Sequence, residues 1–460
     1  MTLENSVEHW CAELATLVAG RPWIVATDVL VGAGRTGKRL LDLGAERVLL
    51  IAGTHGTGEI DGALEQIDLG IPGKDMMDGI RAAERALDSL PSEIVARVDA
   101  FDPERRARVV RELFSEGRPV AGRTVFGARR PEWVALEDKM IIDSFWDACG
   151  VRRAPSSIVA LEQADAAHRT LDRGLGTVWV ADNREGWHGG AFFLRWVRTP
   201  EDARDAHESL GAVADRVRVM PFLEGVPCSI HGVVFDDTEI AFRPCEMMVF
   251  RTGTNRLSYA AASTFWLPRT EDADAMRAIA LDVGRHLRET LDYRGCFTID
   301  GVMTEDGFLP TELNPRFGAA LGQLAAGIPE LPLYLLHLAI IEGAELDYRP
   351  AELERLVIDE SLKRPSGRAM RMVAETLEPR QATLVLEDQG TLRFGVDDEP
   401  ATFRVEVGPS ASGSLVFVHA VHDALELGPP LAPRILEALR FLDARWGLGL
   451  GHLEAAEDVR

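Results

Sequence analysis

Cysteine is scarce in this 460-residue chain. There are five, Cys11, Cys149, Cys228, Cys245 and Cys296, scattered and with no C-x-x-C pair. An odd, dispersed set excludes a disulfide framework and a cysteine zinc site, and reduced thiols are what a cytoplasmic protein carries. Positive charge is short as well. Against 73 Asp and Glu stand 50 Lys and Arg, a formal net charge of -23. Such a surface repels phosphate backbones and anionic lipid, so neither nucleic acid nor a membrane is an expected partner. A nucleotide pocket is not excluded, because local cations and a bound metal set the field there. Long apolar runs are missing too. The longest, residues 331–341, is too short to cross a bilayer and contains His337. The acidic, polar first ten residues do not read as a signal peptide. Internal repeats and low-complexity tracts are absent from the sequence.

What is present is an ordinary globular composition, 46% hydrophobic and 27% charged, with 42 glycines. At roughly 100–200 residues per domain, two to four domains are expected. Residues 3–19 carry apolar side chains at helical spacing. Strands are expected at 23–31 and 47–52, with a glycine-bearing helix between them, the opening of an α/β domain. Arg, Gly and Pro crowd into 118–131 and mark a boundary. Beyond it come an expected helix at 136–149, strands at 154–161, 177–181, 191–197 and 216–220, helices at 161–173 and 200–210, and a polar glycine loop at 182–190. Two hairpins follow, 230–235 with 239–243 and 296–302 with 308–313, separated by an amphipathic helix at 271–292. After residue 350 the pattern changes to four short strands (382–387, 391–396, 401–407, 414–421) and a helix at 431–446. The expected organisation is therefore residues 1–120, 121–348 and 349–460, the last a small α+β module.

The chemistry concentrates in residues 295–318. Side chains alternate along a strand, so Glu312, Asn314 and Arg316 share a face. A three-residue turn at Glu305, Asp306 and Gly307 would bring Asp300 opposite Glu312 on that face. Two carboxylates, an amide oxygen and a guanidinium then converge. Hard Mg²⁺ takes few protein oxygens and completes its shell with phosphate and water, which suits Asp300, Glu312 and Asn314 as ligands. Mn²⁺ fits the same donors. Arg316 would steady a transferring phosphoryl group.

The segment Asp300…Glu312-Leu313-Asn314-Pro315-Arg316 resembles the metal-binding end of the ATP-grasp superfamily. Glu137-Asp138-Lys139 and the following Gly150–Pro155 stretch resemble its early lysine motif. Residues 177–197 resemble its strand, glycine loop and strand over the phosphates, and 220–232 its hinge for adenine and ribose. The resemblance covers about residues 120–345, in order. It implies a Rossmann-like pre-domain, a mobile lid over about 152–220 and a larger metal-bearing lobe. It also implies an ATP-dependent ligase that phosphorylates a carboxylate and passes it to an amine, releasing ADP and phosphate. The wording at 221–231 and 310–318 is most similar to pheganomycin-type peptide ligases of natural-product pathways. On this resemblance Lys139, Arg184, Gly189 and Gly190 would hold phosphates. Pro221, Phe222, Leu223 and Glu224 would hold the nucleoside, and Arg243 would join Arg316 at the reacting group. Partners would be small carboxylates and amines, amino acids or peptides, and a homodimer is one expected assembly.

The sequence departs from the family in two places. Ala181 stands where relatives carry a second ATP lysine, and the ribose-binding Glu would fall near Pro227, leaving Glu224 as its stand-in. Three rival readings follow. The departures allow a non-catalytic nucleotide binder, and the fold allows a bicarbonate-using carboxylase. The third rests on Gly32-x-Gly34-x-x-Gly37, which matches the dinucleotide fingerprint. There the strand that should end in a ribose-binding acid is followed instead by Gly53–Gly58. His231 lies in a strand pattern and reads as a satisfied core histidine.

Overall fold

The computed structural model describes residues 3–71, 73, 76–112, 117–184, 189, 191–388, 390–396, 398–410 and 413–460. The first sheet is parallel, in the order Glu65–Asp68, Arg47–Thr54, Pro22–Val29, Arg108–Arg111. Its two central strands are apolar runs, buried from Trp23 to Ala26 and from Val48 to Ala52, as strands covered on both faces must be. Helix Leu3–Val18 packs against it through Val7, Trp10, Leu14 and Val18. The fingerprint glycines are not in a loop. Strand Pro22–Val29 runs directly into helix Leu30–Asp42, which contains Gly32, Gly34 and Gly37, none with positive φ. Only Gly37 has a steric reason to be glycine, since a Cβ there would meet side-chain atoms of Leu50 and Leu64 at 3.0 Å. The glycines serve helix geometry and helix–sheet packing, and no phosphate-cradling turn forms.

A second, antiparallel sheet has the order Ser157–Ala160, Arg216–Pro221, Thr177–Ala181, Leu194–Val197, with helices Ala164–Leu171 and Pro200–Gly211 behind it. Strict alternation splits its residues. Trp179, Ala181, Val217 and Val219 face the helices, whereas Val178, Val180 and Met220 face the other way. Arg218 is paired in register with Val180 and shares that second face.

The largest sheet carries, in order, Leu257–Ser263, Cys245–Thr252, Val226–Val234, Gly295–Thr304 and Gly307–Asn314. Helix Thr270–Leu291 buries Met276, Ala280, Val283 and Leu287 against one face. The other face is the floor of the site. The hairpin reaches the expected pairing of Asp300 with Glu312 by an unexpected route. Its turn is two residues, with Thr304 opposite Gly307, and a bulge between Asp300 and Gly301 restores the register. Sequence periodicity gave no sign of the hairpin Cys245–Thr252 with Leu257–Ser263. The expected helix at 136–149 is also interrupted. A 3-10 turn Ala135–Glu137 and helix Ile142–Ala148 flank Lys139, which lies in the break.

The C-terminal sheet has the order Arg368–Val373, Gly413–Ala420, Phe403–Ser410, Arg380–Leu386, Leu392–Phe394, with helix Ala432–Trp446 against it. Strand Arg368–Val373 and helix Pro350–Lys363 were not expected. The sheet shares one core with the large sheet, since Met248, Phe250 and Ala260 pack with Leu384, Val405, Val418 and Leu439. Glu246 reaches across and accepts the N–H groups of Leu431 and Ala432 at 2.7 and 2.9 Å, satisfying the helix start that lacks a cap of its own. Among the described residues no helix is long and apolar enough to cross a membrane.

Candidate active site

A cavity of about 390 Å³ lies between the second sheet and the large one. Its floor is the row-by-row product of strand register. His231, Thr298 and Asn314 form one row, and Ser229, Asp300 and Glu312 the next. His231 is buried, bonded to the hydroxyls of Ser229 at 2.9 Å and Thr298 at 2.8 Å, and held neutral by burial, which pulls it down to about 3. It is the satisfied histidine its pattern suggested.

The polar centre is a connected network. Lys139 forms an ion pair with Glu312 and donates to the carbonyl of Glu137 at 3.2 Å. Asn314 donates to Asp300 at 2.9 Å and accepts from Arg316 at 3.1 Å. Arg316 also meets Glu137 at 3.3 Å, and Arg129 pairs with the other oxygen of Glu137. Burial alone would raise Glu137, but the charges of Arg316 and Arg129 outweigh it and hold the carboxyl down at about 2. Asp300 has the opposite fate. Burial first, then the facing charge of Glu312, pushes it up to about 7, although Arg316 and Lys139 pull the other way. Two carboxylates thus face each other on one sheet surface with a single lysine on one of them. A divalent cation would relieve that repulsion. Among the described residues no three His, Cys, Asp or Glu side chains converge. The donor set is two carboxylates and an amide, which fits a hard cation that retains phosphate and water ligands.

The roof is apolar. Val178, Val180, Leu194 and Met220 line it, with Leu309 packed against this group from the other side. Pro221, Phe222 and Leu223 close the slot where the chain leaves the lid sheet. Phe222 is fixed by stacking on Trp196, centroids 4.1 Å apart. Gly225 follows with φ +137°, and a Cβ there would lie 2.0 Å from the carbonyl of Met303, so the strap passes too close for any side chain. An apolar slot beside this strap thus opens onto the polar centre.

The expected residues do not all gather here. Lys139, Gly189, Pro221, Phe222, Leu223, Asp300, Glu312, Asn314 and Arg316 line the cavity. Gly190 lies outside the described residues. Arg184 does not line it; the guanidinium turns to Asp215 at 2.7 Å and the carbonyl of Ala212 at 3.0 Å. Glu224 is also off the lining, paired with Arg251. Arg243 is corrected most clearly. Its side chain is buried and binds Ser361 Oγ at 2.8 Å and the carbonyls of Ser361, Trp266 and Thr264, tying strand ends together away from the cavity. Glu246, three residues on, caps a helix and is not its partner. Arg129, Arg218 and Tyr259 had no place in the sequence-based expectation, and Glu137 stood there only as part of the lysine motif. Alternation in Arg216–Pro221 was the signal for Arg218, which sets a cation beside the apolar roof, bidentate to the two oxygens of Asp143 at 2.7 and 3.1 Å. The other three needed the fold.

No family model matches the chain, and no curated protein does. Solved structures do. The biotin carboxylase domain of the Hydrogenobacter thermophilus 2-oxoglutarate carboxylase, solved with MgADP and bicarbonate, is similar at a TM-score of 0.56 and 14% identity, over 95% of this chain and 91% of that one. The L-amino acid ligase of Bacillus licheniformis gives 0.51 at 12% identity, over 95% and 98%. An ADP complex of N5-carboxyaminoimidazole ribonucleotide synthetase gives 0.50 at 12%, over 93% and 98%. The chain has the ATP-grasp fold. The second sheet falls within the expected lid, about residues 152–220, and the large sheet carries Asp300, Glu312 and Asn314. At such low identity the likeness extends to the fold alone, and reaction and substrate must be argued from the residues.

Proposed function

We propose that this ATP-grasp chain is an ATP-dependent ligase that joins a carboxylate to an amine through an acyl-phosphate, with ADP and phosphate as products. The carrying observation is the convergence of Asp300, Glu312, Asn314, Arg316 and Lys139 on one sheet face beneath an apolar slot. Pro221, Phe222 and Leu223 with Val178 and Val180 hold the adenine, and Lys139 and the backbone at Gly189 meet the phosphates. Asp300, Glu312 and Asn314 would hold Mg²⁺, or Mn²⁺, which when bound supplies charge neutralisation across the β- and γ-phosphates. Arg316, oriented by the buried Glu137, faces the oxygens of the transferring group and of the carboxylate that attacks it. The lid sheet excludes water from the acyl-phosphate until the amine arrives. An amino acid or short peptide as carboxylate agrees with the resemblance to pheganomycin-type peptide ligases.

The test is product analysis by mass spectrometry. The protein is incubated with Mg·ATP and a pool of amino acids and short peptides, beside the Glu312→Ala variant. Substrate-dependent ADP and phosphate, lost in a variant whose circular dichroism is unchanged, is the expected result. Near-wild-type turnover by Glu312→Ala would overturn the site. AMP with pyrophosphate would mean adenylation. Bicarbonate-dependent ADP release without amide would favour the carboxylase reading, and ATP binding without turnover the non-catalytic one.

A further inference from the structure

Past Arg316 the cavity continues over the hairpin of Cys245–Thr252 and Leu257–Ser263, and its wall changes character. Met247 is opposite Ala262 and Val249 opposite Tyr259, and the bulge between Met248 and Val249 turns all four toward the cavity. Helix Ala319–Leu324 begins three residues after Arg316, packs on the strand Leu257–Ser263 and adds Ala319 and Ala320. None of these six residues bears a charge. Arg251, next along the same face, is engaged by Glu224. The wall adjoins the polar centre, because Tyr259 lines the same cavity as Asp300 and Arg316. A phenol is protonated at neutral pH, so Tyr259 can donate a hydrogen bond to an anion.

A bare inorganic anion such as bicarbonate has no apolar surface to place on Met247, Ala262, Ala319 and Ala320. A charged side chain would find no opposite charge there, since Arg251 is already paired with Glu224. A carboxylate with a hydrocarbon side chain satisfies both halves of the space. Resting on the ligase reading above, we infer that the phosphorylated substrate is a carboxylic acid with a compact apolar side chain. That side chain seats on Met247, Ala262, Ala319 and Ala320, and the carboxylate turns to Arg316 and the Tyr259 hydroxyl.

The experiment supplies hydroxylamine as a generic amine, so that the natural nucleophile need not be known. The carboxylate oxygen takes the γ-phosphoryl group and ADP leaves. The hydroxylamine nitrogen then forms the C–N bond, the acyl C–O bond breaks, and phosphate and a proton depart. The full-length protein receives Mg·ATP and leucine, methionine, phenylalanine, alanine, glutamate, lysine or bicarbonate singly, and ADP and hydroxamate are measured. A hydrophobic pocket discriminates about 10–200-fold per methylene. Leucine or methionine is therefore expected to exceed glutamate and lysine by about 100-fold or more in kcat/KM. Ala262→Phe, which shortens the pocket, should raise the alanine-to-methionine ratio of kcat/KM about 10-fold. Met247→Glu, an independent change on the same wall, should raise the lysine-to-methionine ratio at least as much. Preference for glutamate, lysine or bicarbonate, or both ratios unmoved in the variants, would overturn this assignment and leave the ATP-dependent activity standing. ADP release with none of the acids would overturn the ligase reading itself.

Discussion

Glu137→Gln is the most exacting perturbation this structure offers. Glu137 is fully buried between Arg129 and Arg316, and the substitution keeps its shape while removing the charge that both guanidiniums require. The cost follows from the acidity. Lowering the carboxyl from its usual 4.5 to about 2 corresponds to roughly 3 kcal/mol, at ~1.4 kcal/mol per tenfold. Removing one partner from a buried pair independently costs about 3–5 kcal/mol. The two routes agree. The pH dependence carries a sign. A depressed carboxyl stabilises the folded state above its unfolded pKa and loses that contribution as pH falls through its folded value. The gap between wild type and variant should be full at pH 7 and shrink to about 2 kcal/mol near pH 3.5. Because a multidomain chain has no single unfolding free energy, the assay should be local. Hydrogen–deuterium exchange across residues 131–148 and 307–318 should accelerate by about 100–300-fold at pH 7, the equivalent of ~3 kcal/mol. Acceleration below about tenfold in both segments would refute the claim that Glu137 is the ionised hub of this network.

Two further predictions concern residues away from the reaction. Glu246 is pushed up to about 7, chiefly by burial. Its stabilising contribution is complete below about 4.5 and lost as pH rises through 7. Relative to wild type, Glu246→Gln should therefore gain about 30–100-fold in hydrogen–deuterium exchange protection across residues 431–436 between pH 5 and pH 8, the equivalent of about 2–3 kcal/mol; parallel pH dependences would contradict the assignment. Arg243→Met leaves the carbonyls of Thr264, Trp266 and Ser361 without their donor, at about 1–3 kcal/mol for each unpaired group. It should lower the melting temperature while ADP release per folded molecule stays within about threefold. A specific loss of turnover with unchanged melting would return Arg243 to the chemistry.

Legibility in the sequence followed the range of the forces involved. Lid strand Thr177–Ala181 and helix Thr270–Leu291 are local patterns, and they were read within a residue or two. The Rossmann-style glycines show the limit of a motif, because the same letters fit a phosphate loop and a helix packed on a sheet, and only the backbone separates them. The edge hairpin of Cys245–Thr252 and Leu257–Ser263 was missed because one face packs on the C-terminal core while the other lines a cavity. Both faces are then apolar, and the period-2 signal fades.

The sequence by itself determined that Glu312 and Asn314 share a face, because strand alternation forces residues two apart onto one side; a bulge at Asp300 and the chain beyond the strand end bring Asp300 and Arg316 to them. It also determined the order of segments that make up the ATP-grasp arrangement. Tertiary structure decided which further groups serve that constellation. Arg129 and Glu137 come to it from a preceding turn, Arg218 from a neighbouring lid strand and Tyr259 from the far edge of the sheet, whereas Arg184 and Arg243 are drawn elsewhere by Asp215 and by Ser361. A long side chain goes where its charge or donors can be satisfied after burial, and that partner is set by long-range packing rather than by neighbours in sequence.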